Sequence, residues 1–418
     1  MFLNNYHQLK SKEIYVLTLL ILFSALIRIP IILMYGDTSL EHEWELLVNN
    51  LITHGKLVYE IFDNGYMLPN LWMPPLYAYY LYCFSFFGLE YQNYILLILS
   101  SQILLASISV AIFYKINKFF FSQRISFYSS LLFSIFPLYA YASGQISSIS
   151  LQVFLMMLFF YFFFQIVTKK NLLSIILFSF ISGLLILLRG EFRIIFVISI
   201  FYLFFFLKAP AKKILLIFLI TLVTVSPYLI RNFVIFGKIT IVETSGYNLW
   251  KGNHPFAMKN SFVEGLDFSP ERDVKIKKQI DAIPIDKFYR INLNKVFLDQ
   301  AIKNIMSEPK GYLIFYVKKA ISFLFIVVDP HDPRYWEPLH YLPVLLLGIT
   351  SLIGLVMSDK KSYKFNYLIL IFFVIVGIFS MVSILPRYKL IILPLQIIFT
   401  NVLIVHVKEK FFYKSKQN

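Results

Sequence analysis

The sequence predicts an all-α integral membrane protein, and three observations carry that class. The 418 residues are 58% hydrophobic and only 15% charged, with a mean hydropathy of +0.70. A soluble globule of this length could not bury so much apolar surface. The apolar residues also fall in unbroken runs of about 17–23, the length a helix needs to cross about 30 Å of hydrocarbon. A transmembrane barrel would instead show alternating segments of about ten residues. Lastly, lysine and arginine collect in short clusters between the runs, so the formal net charge of +16 reads as topology and not as affinity for nucleic acid.

Six clusters are expected to face the cytoplasm: Lys10/Lys12, Lys115/Lys118/Arg124, Lys169/Lys170, Lys208/Lys212/Lys213, Lys360/Lys361/Lys364 and Lys408/Lys410/Lys414/Lys416. Spans then read at 14–35, 94–114, 125–142, 147–167, 172–188, 194–207, 214–236, 338–357, 365–386 and 389–407. The run from Ile14 to Ile32 is an anchor, since no small-residue cleavage site follows it. Two further apolar segments, 74–89 and 312–328, are short or would invert the charge rule, and read as re-entrant or interfacial. The bundle therefore holds about 10–13 transmembrane helices.

This pattern divides the chain into a cytoplasmic N-terminus with the first span (1–35), a first outer loop (36–73), a transmembrane bundle (74–236), a large outer loop (237–337), C-terminal spans (338–407) and a basic cytoplasmic tail (408–418). The expected location is the cell membrane, inner or plasma, with water-soluble chemistry on the outer face. The halves do not mirror each other as in many transporters. The single cysteine, Cys83, excludes an internal disulfide and a cysteine-based metal site.

In the first outer loop, Trp44, Leu47, Val48, Leu51 and Ile52 recur with helical spacing, and Gly55 supplies a stop. The spacing predicts an amphipathic helix lying along the membrane surface. Asp37, Glu41, His42 and Glu43 gather at its start. Thr38-x-x-Glu41 reads as a capping box. The competing reading is catalytic: a carboxylate at the membrane boundary, its pKa raised by partial desolvation, serves as general base for an acceptor nucleophile.

Taken in order, several motifs resemble the membrane glycosyltransferases of the GT-C fold. They are the acidic stretch after the first span, the surface helix ending in glycine, and Pro74-Pro75-Leu76-Tyr77 opening the next apolar segment. Ser226-Pro227-Tyr228-Leu229-Ile230-Arg231-Asn232, Gly246-Tyr247-Asn248-Leu249-Trp250-Lys251-Gly252-Asn253-His254-Pro255 and Arg387-Tyr388-Lys389-Leu390 follow. The type is that of the bacterial protein O-mannosyltransferases and lipid A aminoarabinose transferases, which are dolichyl-phosphate-mannose-protein mannosyltransferase-like. The resemblance implies a GT-C-like bundle, a polyprenyl-phosphate-linked sugar as donor, and a lipid, glycan or protein as acceptor. It also implies inversion, with a first-loop carboxylate as base: Glu41 or Glu43, and Asp37 as the weaker match. The sequence departs from the pattern at Leu40 and His42, where many members place an Asp near the aromatic residue that Trp44 replaces. A divalent metal ion occurs in some members.

Such a reaction builds oxocarbenium character on the sugar while charge gathers on the departing lipid phosphate. Cations must meet that phosphate, and Arg is suited to it by its planar fork of donors. The candidates are Arg189 and Arg193 flanking Glu191, Arg231, Lys251, and Arg387 with Tyr388. For Arg189 and Arg193, interfacial anchoring or a salt bridge to Glu191 is the structural alternative. His254, His331 and Asp332 lack diagnostic metal spacing, 329–333 reads as a rigid turn, and 271–287 as a solvated loop or short helix. A flippase or transporter would need ionisable groups within spans and paired broken helices, whereas most spans here are uncharged along their middles. A polysaccharide polymerase or ligase would not need the acidic surface helix.

Overall fold

The computed structural model describes residues 2–169, 171–265, 273–326, 336–359 and 361–414, with the side chains of 2–11, 42, 275 and 411–414 left aside. Lys170, Lys360, Lys416, Glu271 and the turn at 329–333, with His331 and Asp332, lie outside the described residues; so do the side chains of Lys10, His42 and Lys414.

In chain order the first elements are α1 (Phe2–Tyr35), α2 (His42–His54), the hairpin β1 (Val58–Ile61) and β2 (Met67–Pro69), α3 (Pro75–Ser85), α4 (Tyr91–Asn117), α5 (Gln123–Ile135) and α6 (Pro137–Ala142). Next come α7 (Ile149–Lys169), α8 (Leu172–Leu188), α9 (Phe192–Phe201) and α10 (Ala211–Phe236), then α11 (Ser245–Gly252), α12 (Pro255–Lys259), α13 (Val274–Asp281) and α14 (Tyr289–Ser307). The last are α15 (Pro309–Leu324), α16 (Pro338–Val356), α17 (Tyr363–Ser380) and α18 (Leu393–Lys414).

Six described helices, α1, α4, α7, α10, α16 and α17, are long and apolar enough to cross a bilayer. The protein is a multi-pass, all-α membrane protein. Four more of the expected spans fall short of that standard for local reasons. α5 and α6 were expected as one span over 125–142, but Phe136 is extended (φ −61°, ψ 118°) and Pro137 has no N–H to continue the ladder. α8 is short, α9 runs on into a π-turn at Tyr202–Phe206, and α18 is charged at its end. Two expected boundaries also move: α17 stops at Ser380, and a 3-10 turn, Pro386–Ile391, precedes α18.

The basic clusters come together at one end of the bundle. Lys118 reaches Glu13 at 3.0 Å, and Lys364 donates to the Phe119 carbonyl at 3.2 Å. The Tyr202 hydroxyl donates to the Tyr363 carbonyl at 2.7 Å, and Asn401 to Asn117 at 3.1 Å. From this lysine-rich end the chain passes to the opposite end and back along α1, α4, α5–α6, α7, α8, α9, α10, α16, α17 and α18. The short α3 and α15 stay near the opposite end: Tyr94 of the α4 entry turn donates to Leu81, and Lys319 of α15 donates to the Gly252 carbonyl at 3.0 Å. Close approach is built on small residues. A Cβ on Gly354 of α16 would stand 1.8 Å from the Phe399 carbonyl oxygen of α18.

At the far end, the first loop and helices α11, α13 and α14 fold onto each other. Trp250, Ile276, Ile280, Leu293, Phe297 and Ala301 form a second small core, with Trp72 and Tyr247 packed against it. Arg290 ties the two together, pairing with Glu60 at 2.8 Å while its guanidinium covers the Tyr59 and Trp72 rings at 4.5 and 4.7 Å. The hairpin is the one sheet among the described residues.

Candidate active site

α2 forms where its apolar spacing places it, and it ends at Gly55, whose left-handed φ of 64° lets its N–H reach the Leu51 carbonyl at 3.1 Å. Leu47, Val48 and Leu51 are buried against α3 and β1. Leu47, Val48 and Leu51 of the stripe therefore face protein, a hairpin and a proline-started helix supplying their apolar partner, while Ile52 is exposed. The capping box does not form. Glu41 itself is the extended residue before α2, and its side chain makes no cap bond.

The three acids differ sharply in setting. Glu41 is exposed. Glu43 is half-buried and lies close enough to Tyr59 to disfavour its phenolate. Asp37 sits one residue beyond the Gly36 that ends α1, and it is held on both sides. Its N–H donates to the Gly144 carbonyl at 2.9 Å, and its Oδ2 accepts the Ile146 N–H at 2.6 Å. Burial pushes the Asp37 carboxyl above its ordinary range, the Ile146 hydrogen bond works against this, and the nearby Glu41 charge adds to it. The turn that holds Asp37 is itself braced: Gln145 donates to the Tyr35 carbonyl at 2.9 Å, and Gln102 to the Gln145 carbonyl at 3.0 Å.

Of the cations, two meet, at the ring of one tyrosine. Arg189, at the end of α8, bonds Glu191 through Nε at 2.5 Å, and its guanidinium carbon stands 5.3 Å from the centre of the Tyr388 ring. Arg387 flanks the same ring at 6.0 Å and is exposed. Burial alone would weaken the Arg189 charge, but Glu191 and the Tyr388 hydroxyl outweigh it, so the guanidinium stays protonated. The Glu191 salt bridge weighed against function is thus present, and it orients the arginine toward Tyr388. α6 packs against both α1 and the 3-10 turn carrying Arg387, and Asp37 and the arginine pair lie at the same end of the bundle.

Arg193 is exposed on α9, and Lys251 is half-buried in α11, whose Gly252 packs closely against the Val382–Ser383 backbone ahead of Arg387. Arg231 is committed to the scaffold. It donates to the carbonyls of Asn70 at 2.8 Å and Leu57 at 3.2 Å and to Asn232 Oδ1 at 2.7 Å. In this structure those donors clamp the first loop to α10, a structural role beside the one expected of it as a phosphate ligand. Arg231→Met is expected to cost about 1.5–3 kcal/mol, the scale of a hydrogen bond to a charged group. Limited proteolysis should then cut within 57–73 faster than in wild type; a raised donor KM with an unchanged cleavage rate would instead return Arg231 to the phosphate.

Among the described residues no three His, Cys, Asp or Glu side chains gather as metal ligands. His254 accepts the Phe256 N–H through Nδ1, with Asp273 3.9 Å from Nε2, which is a helix-capping arrangement. The described side chains thus offer no built cage for the divalent ion that the resemblance allows.

Sequence reasoning passed over Arg28. It lies inside the first span, fully buried, and the apolar run around it hides a lone charge from any hydropathy window.

The arrangement defines a GT-C membrane fold. Solved structures of the oligosaccharyltransferase of Archaeoglobus fulgidus share it: the apo form (13% identity, TM-score 0.54, covering 97% of this chain and 52% of that one) and a form tethered by a disulfide to an acceptor peptide with the NVT sequon (14%, 0.55, 98% and 51%). A complex of the same enzyme with zinc and sulfate is similar too (14%, 0.54, 94% and 50%). The likeness is one of fold, and the chain spans about half the length of those proteins. No protein-family model matches the chain, and no curated protein is similar to it by sequence.

Proposed function

We propose that this protein is a membrane glycosyltransferase that moves a sugar from a polyprenyl-phosphate-linked donor to a lipid, glycan or protein acceptor, with inversion, at the end of the bundle opposite the basic clusters of Lys118 and Lys364. The observation that carries the reading is a fixed, half-buried carboxylate, Asp37, at the same end of the bundle as the Arg189–Tyr388–Arg387 group, with α6 packed against both the helix that precedes Asp37 and the turn that carries Arg387. The carboxylate takes the acceptor's proton as the acceptor attacks the anomeric carbon. The two guanidiniums stabilise the lipid phosphate as the glycosidic bond to it breaks. Tyr388 spaces them by stacking, since each cation lies over its ring. Of the first-loop acids, Asp37 now leads. It is oriented by a backbone amide and its pKa is raised, whereas Glu41 is solvated and Glu43 faces Tyr59.

The resemblance to the O-mannosyltransferase and aminoarabinose transferase type agrees with this donor and with an outer-face site in the cell membrane. The deciding experiment is direct: purified protein in bilayers is given radiolabelled polyprenyl-phosphate sugars and a crude acceptor fraction from cell envelopes. Label is expected to pass to acceptor with release of polyprenyl phosphate. Label that stays on the lipid but crosses the bilayer would identify a flippase and end the transferase reading.

A further inference from the structure

The mechanism above makes no use of Arg28, yet a buried cation inside a span is a costly side chain to keep. It is 0% exposed, it lies in a membrane-spanning helix, and no carboxylate pairs with it among the described residues. A cation so placed asks for a stated partner. One guanidinium nitrogen donates to the Ser24 carbonyl at 3.1 Å, the Ser24 hydroxyl at 2.7 Å and the Ser134 carbonyl at 3.2 Å. The remaining nitrogens, Nε and NH2, are buried without a hydrogen-bond partner, and the guanidinium carbon stands 4.8 Å from the centre of the Tyr139 ring.

These contacts lie on the two sides of one feature, the break between α5 and α6. Ser134 belongs to the last turn of α5, whose carbonyls lose their helical partners where the chain turns extended at Phe136. A helix can be interrupted inside a membrane only if the freed backbone groups are met by protein. Arg28 meets one of them, and its charge faces the negative end of the α5 dipole. Tyr139, across the break in α6, offers its ring to the same guanidinium while stacking on Phe133 of α5 at 4.6 Å. α6 then leads directly into the turn at 143–148, which accepts the Asp37 N–H at Gly144 and donates to the Asp37 carboxylate from Ile146. α1 thus holds Asp37 twice: by its own end, and through Arg28, the helix break and this turn.

We infer that Arg28 is a positioning residue for Asp37, fixing the α5–α6 break so that the Ile146 amide stays on the carboxylate. The inference rests on Asp37 as the base for its catalytic consequence, but its structural content is measurable without turnover. In bilayers, Arg28→Met should raise deuterium uptake severalfold in peptides covering 143–148, with the lysine-rich ends of α4 and α17 unchanged. Arg28→Lys, which keeps the charge, should recover much of the protection. In the transfer assay, kcat should fall about 10- to 100-fold, the cost of a misplaced group, with the donor KM unchanged.

Wild-type uptake over 143–148 in a correctly inserted Arg28→Met protein would overturn the inference. Where that variant does not insert, Ser24→Ala removes the shortest bond that orients Arg28. It should raise uptake in the same peptides by a smaller factor, and no change there is equally fatal. Asp37→Asn is assayed alongside: full activity in that variant would refute the base while leaving the exchange result to judge Arg28.

Discussion

Asp37→Asn is expected to lower transfer by about 10²–10⁴-fold, the usual contribution of a positioned general base, while leaving the protein as stable as wild type or more so. The stability half follows from the sign of the pKa shift. The folded state raises the Asp37 pKa, chiefly by burial, so folding disfavours its charged form. Stability from this group is therefore greatest when it is protonated and falls as pH rises through its unfolded and then its folded pKa. At neutral pH the carboxylate opposes folding. An amide of the same shape removes that cost and still accepts the Ile146 N–H through its oxygen. Wild-type kcat/KM should in turn fall on acidification through a pKa above the ordinary aspartate value of about 3.9. Glu41→Gln should change turnover by less than about tenfold, since a solvated carboxylate beside the base contributes only screened charge. If Asp37→Asn turns over normally and Glu43→Gln does not, the base is Glu43.

The parts of this fold that were legible in the sequence are those fixed by local pattern. The α2 helix shows in the spacing of Trp44, Leu47, Val48 and Leu51 and in Gly55, because one turn of helix needs only neighbours. The lysine clusters show because each lies at the end of its own apolar run. The break at Phe136-Pro137 had a signal in the proline, but hydropathy averaged over 125–142 runs straight across it. Thr38-x-x-Glu41 has the letters of a capping box and fails because α2 begins only at His42, so Thr38 lies too far upstream to cap it. What spacing could not show is the meeting of Arg189 with Tyr388, or of Asp37 with Ile146. These pairs come from distant spans, and only helix packing brings them together. Arg231 shows the same limit. Its position at a span end fits a phosphate ligand, and only the tertiary structure shows the Asn70 and Leu57 carbonyls that take its donors.

Arg387→Gln is expected to reduce kcat/KM for a polyprenyl-phosphate sugar by about 10²–10³-fold, the loss seen when one fixed donor to developing charge is removed, with no measurable change in melting temperature. The two halves of that expectation rest on different facts. Arg387 is exposed, and among the described residues its guanidinium meets only the Tyr388 ring, at 6.0 Å. Among the described residues no further contact of its side chain holds the fold, and exposed substitutions of that kind stay within about 0.5 kcal/mol. A cation held over an aromatic face yet paired with no carboxylate is instead available to an incoming anion. Arg189 makes the contrast. Its replacement by Gln strands Glu191, which loses its 2.5 Å partner in a half-buried setting, so activity and stability should fall together. Arg387→Lys separates charge from geometry: a point charge restores attraction but not the planar fork, so part of the loss should remain. The salt dependence of the donor KM supplies an independent reading, since a phosphate met by exposed Arg387 is screened by added salt. A wild-type kcat/KM in Arg387→Gln, or a loss that tracks a lowered melting temperature, would remove Arg387 from the donor site and leave Arg189 to hold the phosphate alone.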